Sequence, residues 1–278
     1  MEELPHKLVV TLMKDSIAVI GMGVIGGAVV DGLLKNCYEG KISAAELAVD
    51  KIKGLEKQGV TVTSDNKKAA KAADIIFLCV KPNVLKPVLA EVKNELEGKL
   101  VVSVAAAVTV GFCKREAPKA HFVRVMPNVA IKVQESFTAF CCDPDVTDAD
   151  KQKLKTLLGF MGKAVEIDEK YMDAITAVSG SGPGYLSIII EALEYAGLKV
   201  GLPRDLALTA AAQAVLGTAK LVLETGQSPA QIRDSVTTPG GTTIEAISEI
   251  EGSDIRQAFM RAVEAATKKS ETIRKGWE

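Results

Sequence analysis

Residues 236–246, which read Val-Thr-Thr-Pro-Gly-Gly-Thr-Thr-Ile-Glu-Ala, could bind a carboxylate. Pro239 cannot donate a hydrogen bond, and the glycine pair at 240 and 241 lets a ligand approach the main chain. Thr242 and Glu245 have the spacing of a capping box, which predicts a helix whose dipole and free amides face incoming negative charge. The alternative is a tight turn before a well-capped helix, without any ligand.

A second glycine-rich turn lies near the other end of the chain. Residues 17–20 predict a short buried strand, and an apolar helix is predicted through Ala28 and Leu33. Between them stand Gly21, Met22, Gly23, Val24, Ile25 and Gly26. This order predicts a dinucleotide-binding turn, in which glycines allow a sharp bend, close approach of a pyrophosphate and tight helix packing. The alternative is a glycine-rich turn that binds no nucleotide.

An acidic residue is expected after the second strand, where it would meet the ribose. Residues 46–50 predict that strand, which ends in Asp50, a little farther from the glycines than is usual. Lys51 and Lys53 follow directly. Because Asp50 would repel a 2′-phosphate and the lysines would attract one, the local sequence leaves NADH and NADPH open.

Composition and charge are typical of a soluble metabolic protein. The chain has 278 residues, is 47% hydrophobic and 25% charged, and carries a formal net charge of −1, so nucleic acid is not an expected partner. Apolar runs such as residues 186–190 are too short to cross a bilayer, and residues 1–16 lack the features of a signal peptide. We expect a cytoplasmic protein without a membrane partner.

Cysteines and histidines favour neither a disulfide framework nor a metal site. The five cysteines are odd in number and lack C-x-x-C spacing, so we expect reduced thiols and no bound metal. His6 and His121 are the two histidines, and His6 falls in a segment expected to fray. Catalysis centred on a histidine is therefore not expected.

The periodicity of the chain changes near residue 170. Before it, β-rich runs alternate with helical stretches, as in a doubly wound parallel sheet, at 17–20, 46–50, 75–80, 100–104, 121–125, 137–141 and 164–167. After it we predict only helices: 184–196 ending at Gly197, 203–225 between Pro203 and Gly226, one starting at Ser228, and a last one capped by Ser253. The fold class is an α/β Rossmann-like domain over residues 1–170, followed by an all-α domain over 171–278.

The predicted helix 203–225 is rich in alanine and leucine on nearly every face. A surface helix would not tolerate this pattern, so the helix should be buried on several sides. We expect a second subunit to complete the all-α domain, because helices in this number form only a modest core. The alternative is a bundle that packs on the first domain of the same chain.

Five ordered blocks of the sequence resemble pyrroline-5-carboxylate reductases: Gly21–Gly26, Asp74–Pro82, Arg124–Asn128, Ser179–Tyr185 and Val236–Glu245. The resemblance spans residue 14 to about residue 275. It implies a Rossmann domain followed by a helical dimerisation domain, in a homodimer or a larger homo-oligomer of dimers. The implied reaction is NAD(P)H-dependent reduction of 1-pyrroline-5-carboxylate to proline, the last step of proline biosynthesis, with NADPH favoured and NADH possible.

The resemblance also implies roles for individual residues, in a site where the glycine-threonine loop of one subunit meets the nicotinamide held by another. For the cofactor these are Gly21, Gly23 and Gly26 at the pyrophosphate, Asn66 near the adenosine ribose, Val80, Lys81 and Pro82 in the cleft, and Asn128 near the nicotinamide. For the substrate they are Thr238, Gly240, Gly241 and Thr242 at the carboxylate, and Thr243, the catalytic residue, near the ring nitrogen. The chain departs from the family pattern at Ala107, at Val129-Ala130, at Gly184 and at Thr242.

Two other classes of protein remain open on the residues alone. A β-hydroxyacid dehydrogenase would also combine a Rossmann domain with helices, but that family has a catalytic lysine in the helix after its glycine motif, and residues 182–191 contain no lysine. A non-catalytic dinucleotide-binding regulator would need only the first domain and would leave Pro239–Thr243 unexplained.

Overall fold

The computed structural model describes residues 13–278, which divide into two compact units. Of the described residues, 13–181 and 266–278 form the first, here called the sheet unit. Residues 182–265 form the second, here called the helical unit. The expectations for His6 and for the first twelve residues of the chain lie outside the described part.

Eight strands of the sheet unit form one sheet: β1 (Ile17–Ile20), β2 (Ile42–Ala45), β3 (Thr61–Thr63), β4 (Ile75–Leu78), β5 (Leu100–Ser103), β6 (His121–Met126), β7 (Ser136–Cys142) and β8 (Gly162–Glu166). Their order across the sheet is β3-β2-β1-β4-β5-β6-β7-β8. Neighbouring strands run parallel except β6 and β7, which are antiparallel. The strand order reverses between β1 and β4, and ligands of such sheets bind at the carboxyl ends of the strands beside this switch point.

The helices of the sheet unit are α1 (Val24–Lys35), α2 (Asn66–Lys71), α3 (Pro82–Val92), α4 (Val110–Glu116), α5 (Asp148–Gly159) and α6 (Met172–Ile175). Short 3₁₀ turns occur at Val49–Lys51, Lys53–Gln58, Val129–Val133, Glu169–Tyr171 and Lys275–Trp277, and a π-helical turn at Thr176–Gly180. β1 and β4 are buried at every position, as expected for strands covered on both faces. Val19 lies in one core with Leu33 of α1, and Ile20 lies in the other with Leu89 of α3.

The α/β Rossmann-like fold predicted for the N-terminal part is confirmed, but one of its predicted strands was wrong. Residues 46–50 do not form a strand: β2 ends at Ala45, and the chain bends into the 3₁₀ turn that contains Asp50. The Ala48 N–H donates to the side chain of Glu46 at 3.3 Å, which closes the bend directly after the strand. Strand β3 was not predicted, because its Thr-Val-Thr segment is short and only partly buried.

The helical unit contains α7 (Gly182–Lys199), α8 (Arg204–Thr225), α9 (Pro229–Ser235), α10 (Thr242–Glu251) and the first half of α11 (Ile255–Arg274). The predicted bounds of α8 are confirmed, with Pro203 before it and Gly226, at φ +69°, after it. The prediction that the preceding helix ends at Gly197 was wrong, since α7 continues to Lys199. A Cβ added at Gly197 would lie 2.8 Å from the Cβ of Ala207, so this glycine allows α7 and α8 to pack closely.

We expect opposite effects from alanine at two glycines of α7. A Cβ at Gly184 would meet open space within the chain, and Gly184→Ala should raise the free energy of unfolding by about 0.5–1 kcal/mol because alanine favours the helix. Gly197→Ala should lower it by about 1–3 kcal/mol through the clash with Ala207. Urea titration of the two variants measures both values, and a stabilised Gly197→Ala would contradict the packing described.

Helix α8 is largely exposed within a single chain. Among its residues Ala207 and Ala211 are buried, whereas the exposed large side chains are Leu206, Leu208, Leu216, Leu221 and Leu223. By length and composition alone α8 could cross a membrane, with a mean hydropathy of 1.6. The same composition is found in helices that pack against a partner subunit. The exposed leucines of α8 provide apolar surface for such a contact.

Candidate functional site

The glycine-rich turn between β1 and α1 has a shape that only glycine permits. Gly21 adopts φ +91°, and its N–H donates to the carbonyl of Ala45 at 2.9 Å. A Cβ at Gly21 would lie 2.8 Å from Cγ1 of Val80, and a Cβ at Gly26 would lie 2.0 Å from the carbonyl oxygen of Gly21. The first glycine therefore makes the bend, and the third lets α1 pack against it.

The second glycine of the turn faces open space. No atom of the described residues lies within 4 Å of a Cβ built at Gly23, which is the N-cap of α1 and gives that helix no side-chain cap. Among residues 13–278, no side chain therefore caps the first amides of α1, which include those of Val24 and Ile25. Backbone amides at an uncapped helix N-terminus suit a pyrophosphate, so the turn fits a dinucleotide.

Several predicted cofactor residues line one cavity of about 370 Å³ beside this turn. Gly21, Gly23, Asn66, Val80 and Lys81 all contribute to it. Lys81 is the N-cap of α3, and Pro82 is its first residue, so these positions follow β4 at the edge where the turn lies. Burial raises the pKa of the neighbouring Cys79 thiol to about 12, so this side chain adds no negative charge near a bound pyrophosphate.

Glu46, not Asp50, is the acidic residue at the end of β2. Its Oε2 accepts a hydrogen bond from the Met22 N–H at 3.0 Å, and it lines the cavity with Asn66. Asp50 and Lys51 lie exposed in the following 3₁₀ turn, and Lys51 lines a different depression together with Met22. The sequence alone would have identified Glu46 only if Ile-Ser-Ala-Ala had been recognised as the strand.

Asn128 makes several hydrogen bonds at the carboxyl end of β6. Its Oδ1 accepts from the Ala130 N–H at 3.0 Å, and its Nδ2 lies 3.2 Å from both the carbonyl oxygen and the Oγ of Ser179, to which it donates. Ser179 belongs to the π-helical turn, a distortion that is frequent at functional sites. The side chain of Asn128 thus fixes the π-helical turn relative to β6.

The predicted carboxylate loop contains a tight turn followed by an uncapped helix. The Gly241 N–H donates to the carbonyl of Thr238 at 3.0 Å, and Gly240 adopts φ +67°, as the third position of a type II turn requires. Gly241 is the N-cap of α10, and within the described part of the chain no side-chain oxygen accepts a hydrogen bond there. The predicted capping box was therefore wrong, because Thr242 is the first helical residue and cannot cap the helix.

The uncapped N-terminus of α10 suits a ligand at the loop. The amides of Thr242 and Thr243 at the N-terminus of α10 have no side-chain cap among the described residues, so they remain available to an anion. Thr242 is exposed, and Thr243 is half-buried one residue farther along the helix. A Cβ at Gly241 would lie 2.4 Å from Oγ1 of Thr238, so a larger residue would displace that hydroxyl.

Side-chain hydrogen bonds mark the ends of the two helices on either side of the loop. Helix α9 is capped by the predicted Ser228, which forms a complete capping box with Gln231. At the end of α9 the Thr237 hydroxyl donates to the carbonyl of Arg233 at 2.7 Å. Glu251, the last residue of α10, accepts from Nε of Arg256 at 2.8 Å.

The fold and the glycine turn define a Rossmann-type oxidoreductase with an added helical region. Residues 16–107 match the family model described as NADP oxidoreductase, coenzyme F420-dependent. Residues 169–273 match the model described as pyrroline-5-carboxylate reductase dimerisation. Together with the relatives described next, this match shows that the chain belongs to the pyrroline-5-carboxylate reductase family.

Individual relatives agree along almost the whole chain. The pyrroline-5-carboxylate reductase of Methanosarcina acetivorans is 38% identical over 267 residues, which is 94% of this chain and 99% of the relative. The structure of a pyrroline-5-carboxylate reductase from Coxiella burnetii has a TM-score of 0.89 at 34% identity, covering 94% and 99% of the two chains. The Plasmodium falciparum enzyme, whose structure has NADP bound, gives 0.83 at 30% identity, covering 94% and 98%.

Proposed function

We propose that the protein reduces 1-pyrroline-5-carboxylate to L-proline, with NADPH as the reductant and NADH as a possible second cofactor. The observation that carries this proposal is the uncapped N-terminus of α10 after the Thr238–Gly241 turn, because it offers a carboxylate-binding site in a chain that also has the dinucleotide turn. Family membership supports the specific reaction.

The two halves of the chain have different tasks in this proposal. Residues 1–170 bind the dinucleotide, through the turn Gly21–Gly26, the residues after β4, and Asn66 at the ribose. Residues 171–278 bind the substrate and form the subunit contact. Bound NADPH supplies the hydride that the ring carbon accepts. The arrangement of Asn128 with Ser179 supports a positioning role for this residue beside the nicotinamide.

The carboxylate of the substrate binds at the N-terminus of α10 in this proposal. The amides of Thr242 and Thr243 donate to its oxygens, the positive end of the helix dipole favours its charge, and the Thr238 hydroxyl adds a donor. Gly240 keeps the main chain bare on the approach side. Thr243, half-buried at the next position, places its hydroxyl near the ring nitrogen.

Little acid–base machinery is needed for this reaction. The cyclic imine enters protonated and is already electrophilic, so the protein mainly has to hold the ring in place and exclude water. Positioning alone can supply about 7–11 kcal/mol in favourable intramolecular reactions. Thr243 would orient the ring nitrogen without having to transfer a proton in the hydride step.

The proposed assembly is a homodimer, or a larger oligomer built of dimers, located in the cytoplasm and without a nucleic-acid or membrane partner. The exposed leucines of α8 support the subunit contact, and the family model for dimerisation covers this helix. A net charge of −1 gives no support for binding to nucleic acid.

Oxidation of NADPH with 1-pyrroline-5-carboxylate as substrate tests the proposed function. We expect turnover with this imine and none in the reverse assay with hydroxyisobutyrate.

The value of kcat/KM, calculated on total substrate, should fall as the pH rises past the pKa of the imine. Recalculation on the concentration of the protonated imine should remove much of this fall. His121→Gln should keep this trend. Faster oxidation of a secondary alcohol would instead favour a hydroxyacid dehydrogenase.

Thr243→Ala is expected to lower kcat/KM for the imine roughly tenfold, since a lost neutral hydrogen bond costs about 0.5–1.5 kcal/mol. The dissociation constant for NADPH, measured by fluorescence titration, should change little because the hydroxyl contacts the substrate. Thr243→Ser keeps the hydroxyl and should restore most of the activity. An equal loss of NADPH affinity in the alanine variant would point to a structural role for Thr243.

A further inference from the structure

Two carboxylates line the part of the dinucleotide cavity that follows β2. Glu46 comes directly after this strand, where the acidic residue of dinucleotide-binding folds meets the adenosine ribose. Glu91, near the end of α3, lines the same cavity, and its Oε2 accepts from Nδ2 of Asn66 at 2.9 Å. A 2′-phosphate on the ribose would therefore approach two negative groups.

The carboxylate of Glu46 is fixed by backbone contacts. Its Oε2 accepts from the Met22 N–H at 3.0 Å and its Oε1 accepts from the Ala48 N–H at 3.3 Å. Because Met22 belongs to the glycine-rich turn itself, the charge is held against the element that binds the dinucleotide. Glu46 cannot leave the cavity without giving up both hydrogen bonds.

Positive charge is scarce at the same place. The residue after Glu46 is Leu47, whose side chain is 86% exposed and offers no donor to a phosphate. Lys51, the first cation after β2, lines a separate depression with Asp31. Lys81 is the one cation among the described residues that line the cavity, which therefore has two carboxylates and a single ammonium group.

We propose that Glu46 repels the 2′-phosphate of NADPH and so sets the ratio of NADPH to NADH affinity in this protein. The residue acts as a repulsive element, which changes the difference between two affinities without being required for either. This proposal rests on the proposed function, since it assumes that the cavity holds a nicotinamide dinucleotide.

The test compares dissociation constants of NADPH and NADH, measured by nicotinamide fluorescence, in the full chain and in Glu46→Gln. Glutamine keeps an acceptor oxygen for the Met22 N–H while removing the charge. We expect the wild-type protein to bind both dinucleotides within about tenfold of each other, and the variant to shift the ratio about tenfold towards NADPH. Displacement by adenosine 2′,5′-bisphosphate should improve in parallel, whereas displacement by AMP should not.

Two further variants make the outcome decisive. Glu56→Gln removes the same charge from an exposed site outside the cavity, and it should leave the ratio unchanged. Asp50→Asn tests the acidic residue that the sequence predicts at the ribose, and its shift in the ratio should be smaller than that of Glu46→Gln. An unchanged ratio in Glu46→Gln, a larger shift in Asp50→Asn, or a wild-type protein that does not bind NADH would overturn the proposal. If neither dinucleotide bound, the proposed function itself would fail.

Discussion

Gly26→Ala is expected to abolish high-affinity binding of the dinucleotide. The added Cβ would lie 2.0 Å from the carbonyl oxygen of Gly21, which is far inside van der Waals contact and involves main chain that cannot rotate away. Either α1 must move outward or the turn must open, at a cost of about 1–3 kcal/mol or more. Both movements displace the first backbone amides of α1, next to Gly23, which would bind the pyrophosphate.

The neighbouring glycine provides the matched control for this prediction. A Cβ at Gly27 meets no described atom within 4 Å, and this residue lies in the same helix. Gly27→Ala should therefore keep NADPH affinity and leave stability unchanged or slightly higher. Fluorescence titration gives the two affinities, and urea unfolding gives the two stabilities. Similar affinities in both variants would show that the close contact of Gly26 with the turn does not matter for binding.

The dinucleotide turn was predictable because its constraints are local. A buried strand, three glycines at fixed spacing and an apolar helix leave few conformations open to the chain. The structure contains this strand, the glycine turn and the helix where the sequence predicts them. The end of β2 was not predictable in the same way. Its Ile-Ser-Ala-Ala sequence is small and weakly apolar, whereas the next residues, with Leu47 and Val49, resemble a strand more closely. Pairing with β1 and β3 decided the register, and pairing is not local.

The helical region shows the same division between local and long-range signals. Ser228-Pro229 and Gly226 mark helix ends by their own chemistry, and the structure confirms both. Glycine is typical of a helix end, but Gly197 lies inside α7, where it leaves room for Ala207 of α8. This contact depends on the packing of the two helices and cannot be predicted from local sequence. At the substrate loop, the spacing of Thr242 and Glu245 suggested a cap, but the turn that begins at Thr238 places Gly241 at the cap position.

The exposed leucines of α8 are expected to matter most for the assembly of the subunits. Leu216→Glu should prevent association of the subunits and abolish imine reduction. Leu216 is 47% exposed within the chain, so an isolated subunit can accommodate glutamate there. In the assembly, the same charge would be buried without a partner, which costs several kcal/mol.

Two comparisons separate loss of association from loss of folding. Ala211 is buried within the chain, so Ala211→Glu should damage the fold itself, with lower helix content and a lower melting temperature. Leu216→Glu should keep its helix content and dinucleotide binding but elute as a monomer by light scattering, while Leu216→Met, which conserves volume, should remain associated and active. A fully active Leu216→Glu monomer would show that the apolar face of α8 is dispensable for the reaction, and the leucines on α8 would then need another explanation.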